Sequence, residues 1–454
     1  MKSKILPRGN FLSTYLMPII NVILLSLTLY VAIYRILFWN FLQTYINARI
    51  QRLPAVIQIP QLKILECQDS IIIWTSMLLP VVFIVVLLLF NKSVRRREFW
   101  LAAIPILGIL IVTYLSRFWS VDRSYSVIRY LGLAAAGAGG IYFGFQYQKT
   151  KLIQLLEVFA ALMIIGSLFV VYRYPHYGIM TGGNLEGAWR GIFWWKTYLG
   201  EITVFAATLF LLRVANFKNE RWFARIYSFL FYGLAIFLLI KSNSATEIIA
   251  ALAWHALIFL AILYLKWGQQ LKPVHWWILG AASVMALVAL WFGRDVILGV
   301  IGRSSNLTGR IPVWEALIPY IKQRFFAGYG FGDAFWKNDA YGHKLWDVVG
   351  WRPPFAHNGY IEALLDTGIL GLVLWVIFLI QTAFLSVRYF LRERNLPALI
   401  FIAWVVEVMV ANLSDNQLGS YEDFTWLLLV LAFACTLRYM LDHKQSARVT
   451  TPKL

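Results

Sequence analysis

Long apolar runs of roughly 18 to 25 residues recur along this chain, separated by short polar segments. A helix of that length crosses the hydrocarbon core of a bilayer, whereas the strands of a membrane barrel would alternate in polarity. The pattern predicts an all-α polytopic membrane protein, one integral membrane domain over residues 1–454, with about twelve transmembrane helices. The predicted spans are residues 15–39, 71–90, 99–116, 126–146, 153–172, 197–214, 223–240, 247–265, 276–293, 359–384, 397–412 and 425–441.

The basic residues indicate how these spans are oriented. More than half of the 41 lysines and arginines lie in short loops on the side of the N-terminus, and few acids accompany them. Cytoplasmic loops carry this excess of positive charge, so we expect both termini in the cytoplasm. The net charge of +19 is mostly this topology signal. It does not indicate nucleic-acid binding, because the chain has no basic domain interleaved with aromatic residues.

The larger predicted loops all lie on the other side, at residues 40–70, 117–125, 173–196, 294–356 and 413–424. The cytoplasmic loops are too short for a nucleotide-binding domain, and no Walker A sequence occurs. We therefore expect no use of ATP, and we expect any catalysis to face the periplasm or the cell exterior. Cys67 and Cys435 are far apart, so we expect neither a structural disulfide nor a zinc site.

The segment 294–356 is the longest of these loops, and His357 stands at its exit. It is basic, with Arg303, Arg310 and Arg352 among its cations. Cations depress the pKa of a nearby histidine, so His357 is expected to stay neutral and to be able to accept a proton. The alternative is that His357 and Asn358 only cap the helix that follows.

Two acids, Glu362 and Asp366, lie one turn apart in that helix, so they share a face. Carboxylates within a span are costly, and we expect them to be functional or to pair with loop arginines. The glycines of Gly328–Gly332 favour turns with close backbone approach over a nucleotide site, since no Lys-Ser/Thr follows them. The stretch Ala134–Gly140 favours tight helix packing.

The segment 173–196 carries a second set of candidates. Arg190 and Lys196 bracket an aromatic run that includes Trp194. Arginine offers a planar fork to phosphate oxygens and lysine a point charge, so the pattern suits anion capture. An interfacial belt of aromatic residues with snorkelling cations is the alternative. No DxD motif or acidic cluster offers metal ligands, so if the substrate is a pyrophosphate, arginines would have to neutralise the leaving group.

Several motifs, in this order, resemble the O-antigen ligase and polysaccharide polymerase family of the bacterial envelope. They are Leu115–Asp122, Arg190–Gly200, Lys241–Thr246, Gly309–Trp314, Gly328–Gly332, His357–Tyr360 and Gly368–Gly371. The resemblance implies a GT-C-like transferase in the inner membrane, with a large periplasmic loop and no metal or other cofactor. Its donor would be an undecaprenyl-pyrophosphate-linked glycan, and its acceptor another glycan or the lipid A core.

The same resemblance implies roles for particular residues. Arg190 and Arg310 would hold the donor pyrophosphate, and His357 would activate the acceptor hydroxyl. Further substrate contacts are expected from Lys196, Arg303, Arg352, Asn358, Tyr360, Trp194 and Glu362. Membrane lipids, and in a polymerase a chain-length regulator, complete the expected partners.

Three functions remain open at this point. The run Gly191–Gly200 favours a polysaccharide polymerase, and an O-antigen ligase is the close alternative. A transporter of polysaccharide or lipid-linked oligosaccharide is the third. It would more often show repeated halves around a midplane site, and no internal repeat is visible here.

Overall fold

The computed structural model describes residues 93–182, 185–215, 221–268, 309–418 and 424–450, together with a few isolated positions between 82 and 91. These parts of the chain are helical, as predicted, and contain no β-strand beyond a single bridge between Ile179 and Trp189. The predicted spans 15–39 and 276–293, most of 71–90, and the segment 40–70 lie outside the described residues.

The helices follow the apolar runs closely. They are α1 (Arg97–Ala102), α2 (Ile104–Leu115), α3 (Arg123–Gln146), α4 (Lys149–Arg173), α5 (Lys196–Ala215), α6 (Trp222–Ser242), α7 (Ala245–Trp267), α8 (Arg310–Gln323), α9 (Gly359–Glu393), α10 (Ile400–Ala411) and α11 (Phe424–Thr450). Seven of them, α3 to α7, α9 and the Phe424–His443 part of α11, are long and apolar enough to cross a membrane. Every predicted span within the described residues corresponds to a helix, and the total of twelve and the GT-C-like arrangement stay predictions.

Two predicted spans are not single straight helices. The span 99–116 is divided at Ala103 into α1 and α2. The span 359–384 continues to Glu393, and its backbone leaves the helical region at Gly368, where φ is 68° and ψ is −167°. Only glycine adopts that conformation readily, so Gly368 marks a true break in α9.

Two of the long helices, α3 and α11, pack closely against each other. Glycines on α3 allow the close approach to α11: a Cβ at Gly140 would lie 2.9 Å from the Cβ of Val430. Gly137 and Gly144 face Trp426 and Ala434 in the same way. The predicted tight packing of the Ala134–Gly140 stretch is thereby confirmed.

One end of the bundle gathers the connections 116–122, 174–195, 242–245, 309–358 and 412–418, which we call the loop face. Backbone hydrogen bonds join them, for example from Val121 to Tyr329 at 2.9 Å and from Trp189 to Lys241 at 2.9 Å. Cations gather at the opposite end, where Lys149 donates to the hydroxyl of Tyr389 at 2.5 Å. The segments predicted to share a side therefore lie together, and the assignment of the two ends to cytoplasm and periplasm stays a prediction.

The described part of the long loop is a small helical unit rather than a simple loop. It consists of α8 and three short helical segments, Ala334–Lys337, Asp339–His343 and Lys344–Val349. Its own hydrophobic core contains Val313, Leu317, Tyr329, Phe335, Trp336, Leu345, Ala356 and Leu365. Because Leu365 belongs to α9, this core fastens the unit to the membrane-spanning bundle.

The break in α9 provides the second fastening. Because the helix is broken, the carbonyl oxygens of Leu365 and Asp366 lose the N–H donors that a continuous helix would supply one turn later. The backbone N–H groups of Tyr329 and Gly330 donate to these two oxygens instead, at 2.6 and 2.9 Å. Gly328 and Gly330 have positive φ values of 68° and 113°. The predicted turns with close backbone approach are confirmed, since Gly328 lies directly against the backbone of Asp366.

Candidate active site at the loop face

His357 lies two residues before α9, between the rings of Trp351 and Phe355. The ring centroids are 5.7 Å and 4.4 Å away, and the Trp351 ring is stacked on the imidazole. Burial, and next the guanidinium of Arg310, lower the pKa of His357 from 6.5 to about 3. The imidazole is therefore neutral at physiological pH, and its Nδ1 is buried without a hydrogen-bond partner among the described residues.

The backbone of His357 is held in an unusual conformation, with φ at 52°. A non-glycine residue in this left-handed region costs on the order of 1–3 kcal/mol and persists only where its surroundings enforce it. Both backbone polar groups of the preceding residue, Ala356, are bonded: its N–H donates to Glu362 Oε2 at 2.6 Å, and its carbonyl accepts from Trp314 Nε1 at 2.8 Å. These two bonds hold the backbone of Ala356, the residue directly before His357.

Glu362 is 1% exposed, and both of its carboxylate oxygens are occupied. Besides the bond from Ala356, it accepts one from Trp336 Nε1 at 2.7 Å. The expected pairing with loop arginines is not what the structure shows, because indole and backbone N–H groups take that place. Asp366 likewise accepts from the backbone of Gly332 at 2.9 Å. A substrate contact for Glu362 stays a prediction.

Arg310 is the first residue of α8, directly after Gly309, whose φ is 87°. Trp351 connects this helix start to the histidine, because a Cβ at Gly309 would lie 3.4 Å from Trp351 Nε1 while the Trp351 ring stacks on His357. The Arg310 charge also acts on Asp415: burial raises the pKa of that carboxyl, and Arg310 opposes the rise. The structure thus brings Arg310, His357 and Asp415 into one electrostatic neighbourhood.

Arg190 is anchored within the 174–195 connection. Its Nε donates to the carbonyl of Tyr177 at 2.6 Å and its Nη1 to that of Trp194 at 3.4 Å. Burial lowers the pKa of the guanidinium, which nevertheless stays protonated. Nη2 has no hydrogen-bond partner among the described residues, so the anchored cation still presents donors to an anion.

Lys196 begins α5 and reaches across to the end of α6. Its Nζ donates to the carbonyl of Asn243 at 2.7 Å, where Asn243 ends α6 with φ at 49°. Trp189 bonds to the same helix end through Lys241. The Lys241–Thr246 motif therefore contacts the Arg190–Gly200 motif, through the bond from Lys196 to Asn243.

The other predicted contacts occupy varied places. Trp194 is 54% exposed and available for stacking. Asn358 caps α9 by accepting from the N–H groups of Tyr360 and Ile361 at 3.0 and 3.1 Å, so the capping alternative is observed for this residue. The Tyr360 hydroxyl donates to Met409 at 3.1 Å, and Arg352 is an exposed side chain over the ring of Trp346. Arg303 lies outside the described residues.

Sequence reasoning missed the segment 412–418, which lies between the two groups of candidates. Gln417 Nε2 donates to Glu247 Oε1 at 3.1 Å, and Asn412 accepts from the backbone of Gly359 at 3.0 Å. Glu247 is completely buried on the first turn of α7, and Glu201 is buried on α5. The sequence carries a signal for both acids, because carboxylates inside predicted spans are costly wherever they occur.

Comparison with known proteins gives two matches. Residues 229–376, which contain both Arg310 and His357, match the O-antigen ligase family. A stretch of 207 residues is 32% identical to the exopolysaccharide production protein ExoQ of Rhizobium meliloti (strain 1021). It covers 41% of this chain and 46% of that protein, so the match spans less than half of the relative's length.

The described residues thus form a multi-pass helical membrane protein, part of which is similar to glycan ligases and to an exopolysaccharide production protein. The resemblance expected from the sequence motifs, to the O-antigen ligases and polysaccharide polymerases, is confirmed by these two matches.

Proposed function

We propose that this protein is an inverting glycosyltransferase that moves a glycan from undecaprenyl pyrophosphate to a sugar hydroxyl without a metal ion. Its site would face the periplasm from the inner membrane, with both termini in the cytoplasm. The observation that carries the proposal is the neutral His357, stacked on Trp351 beside the charge of Arg310 within the family's matched region. That arrangement places a proton acceptor beside a cation for a leaving group.

The reaction needs one bond to form and one to break. The acceptor hydroxyl oxygen attacks the anomeric carbon of the donor sugar from the face opposite the pyrophosphate, and the bond from that carbon to the phosphate oxygen breaks. The hydroxyl proton goes to the imidazole of His357, and the bonding electrons leave with the pyrophosphate. The anomeric configuration is therefore inverted in a single step.

Cations take up the charge that develops on the pyrophosphate. Arg190 is suited to this because two of its guanidinium nitrogens are held by carbonyls while Nη2 stays open. Arg310 and Lys196 would add charge from the two neighbouring segments, with Arg303 and Arg352 as outer contacts. Preorganised charges of this kind stabilise a transition state without the cost of reorienting solvent.

The glycan itself would be held by the less charged candidates. Trp194 presents an exposed aromatic face to which a sugar ring can stack. Asn358 and Tyr360 stand at the mouth of α9 close to the histidine. Glu362 would act mainly by positioning, because its oxygens already bond to Ala356 and Trp336.

We favour a polysaccharide polymerase among the family's activities. The similarity to an exopolysaccharide production protein supports the assembly of glycan on glycan. The family description, O-antigen ligase, supports transfer to the lipid A core as the second candidate. In a polymerase a chain-length regulator would be a further partner.

The acceptor separates these candidates. Purified protein is incubated with the lipid-linked oligosaccharide of the source cell, with EDTA and without ATP, and the products are resolved on a gel. A ladder formed without lipid A core supports the polymerase. A single transfer that requires lipid A core indicates the ligase, and movement of the donor across vesicle membranes without any transfer would indicate a transporter.

A further inference from the structure

We infer that the segment 412–418, called here the linking loop, is the element that sets the position of the histidine relative to the cations of the 190–196 motif. This inference rests on the proposed function, because it assigns positioning residues to that same site. It concerns mainly Asn412, Gln417 and Glu247, which lie between the two groups of candidate residues.

Asn412 forms the contact on the histidine side. Its carbonyl accepts from the N–H of Gly359 at 3.0 Å, two residues after His357. Its side-chain oxygen accepts from the backbone of Gln417 at 2.9 Å and of Leu418 at 2.8 Å. The amide of Asn358 also donates to the carbonyl of Leu413 at 3.3 Å. The start of α9 and the linking loop are therefore one hydrogen-bonded unit.

Glu247 forms the contact on the cation side. It accepts from Gln417 Nε2 at 3.1 Å, and it packs against α5 so closely that a Cβ at Gly200 would lie 2.7 Å from its Cγ. Gly200 is one turn beyond Lys196 on the same helix. A second link joins Thr246 and Ser414, whose hydroxyls are 2.7 Å apart. The linking loop thus reaches the helix on which Lys196 stands.

Burial gives these bonds their importance. Asn412 and Glu247 are both completely buried, so water cannot replace a bond that a mutation removes. The linking loop would then shift relative to α5 or to α9. Displacing a reacting group by about 1 Å lowers a rate by about 100-fold, while the separate binding groups stay intact.

In this role Glu247 has to provide an acceptor oxygen for Gln417. Glutamine at this position keeps an acceptor oxygen for Gln417, whereas alanine removes it. Glu247→Gln should therefore retain most of the function that Glu247→Ala loses. A role that needs the carboxylate charge or its proton would make the two variants equally impaired.

The test compares Glu247→Ala, Glu247→Gln and Gln417→Ala in purified protein. Gln381→Ala is the matched control, because Gln381 also bridges two elements through its amide, donating to Ala102 at 2.9 Å away from the linking loop. Steady-state transfer from the lipid-linked oligosaccharide of the source cell gives kcat and KM. Glu247→Ala and Gln417→Ala should lower kcat by about 10- to 100-fold and leave KM within about twofold, and the other two variants should resemble the parent.

A distance measurement provides a readout that does not depend on catalysis. Spin labels are placed by Glu186→Cys and Val348→Cys, two exposed positions in the 174–195 and 309–358 segments, in a protein with Cys67→Ser and Cys435→Ser. The distance distribution should shift or broaden with Glu247→Ala and Gln417→Ala, and it should be unchanged with Glu247→Gln and Gln381→Ala.

The outcomes are distinguishable. If the distances change as expected but the parent protein transfers no glycan, the proposed function fails while the positioning role of the linking loop stands. If Glu247→Ala and Gln417→Ala leave both the distance distribution and kcat unchanged, or if Glu247→Gln is as impaired as Glu247→Ala, the inference is overturned.

Discussion

The carboxylate of Glu362 accepts a hydrogen bond from the backbone N–H of Ala356 at 2.6 Å, directly before His357. This acid on the first turn of α9 thus forms hydrogen bonds to the end of the preceding loop rather than an ion pair. We expect Glu362→Ala to leave the N–H groups of Ala356 and Trp336 unpaired, at about 1–3 kcal/mol each. Thermal unfolding of the purified variant should show the loss as a lowered midpoint.

Glu362→Gln serves as the control for this prediction. It keeps one acceptor oxygen, so its unfolding midpoint should lie between those of the parent and of Glu362→Ala. Equal midpoints for the parent and Glu362→Ala would show that these bonds do not stabilise the loop.

Trp314 donates its indole N–H to the carbonyl of the same residue, Ala356. Trp314→Phe keeps an aromatic ring but removes the donor, which should cost about 1 kcal/mol of stability. It should also lower kcat, because the carbonyl of Ala356, directly before His357, then loses this donor. Trp346→Phe is the matched control, since Trp346 makes a similar bond to Pro353 at 2.9 Å farther from the histidine. A loss of kcat of the same size in both variants would count against a specific role of Trp314.

The low pKa of His357 has a direct consequence for pH dependence. In the proposed reaction the neutral imidazole is the base, and with a pKa of about 3 it predominates at every pH above about 4. As pH falls from 8 to 5, kcat/KM should therefore show no loss from protonation of His357. A histidine with the ordinary pKa of about 6.5 would lose more than 90% of its neutral form over the same interval.

The titration can be observed directly by NMR of protein with labelled histidine, using His357→Gln to assign the signal. The His357 resonance should not shift between pH 5 and 8. Arg310→Gln removes the charge that is the second cause of the depression, so the pKa of His357 should rise in that variant. A midpoint near pH 6.5 in the parent protein would contradict the described environment.

The guanidinium of Arg190 is held by hydrogen bonds to two backbone carbonyls, which depend on its shape as well as on its charge. Arg190→Lys keeps the charge but cannot bond to Tyr177 and Trp194 while presenting a further donor. We expect the rate of transfer to fall by about 10-fold or more, since hydrogen bonds to charged groups contribute about 1.5–3 kcal/mol. Arg173→Lys, at an exposed arginine of the neighbouring helix end, should leave the rate unchanged. Equal rates for Arg190→Lys and the parent would show that charge alone suffices.

Much of the fold could be predicted because bilayer thickness dictates the length of each apolar run. The boundaries of α5 and of the start of α9 agree with the predicted spans within a residue. The break at Gly368 could not be predicted, because the apolar pattern continues through it without change. Its cause is tertiary: the backbone of Tyr329 and Gly330 replaces the helical donors.

Motif and charge coincide at Arg190, Lys196 and His357, so the sequence alone selects these residues as candidates, and their roles stay predictions. The partners of buried acids were not predictable, because a sequence shows that Glu362 is costly but not which groups satisfy it. Gln417 and Asn412 carry no charge and lie in a short connection, so composition did not single them out. Their contacts with Glu247 and Gly359 depend on segments distant in the chain.

The central claim is that His357 is the base of a metal-independent transfer. The most direct measurement is the initial rate of transfer from the lipid-linked oligosaccharide, in EDTA and without ATP, for the parent, His357→Gln and the control His343→Gln. His343 lies in the same unit but is paired with Asp339 at 2.5 Å. We expect a loss of at least about 100-fold for His357→Gln and an unchanged rate for His343→Gln. A parent-like rate in His357→Gln, or a parent protein that is inactive until a divalent metal is added, would contradict this claim.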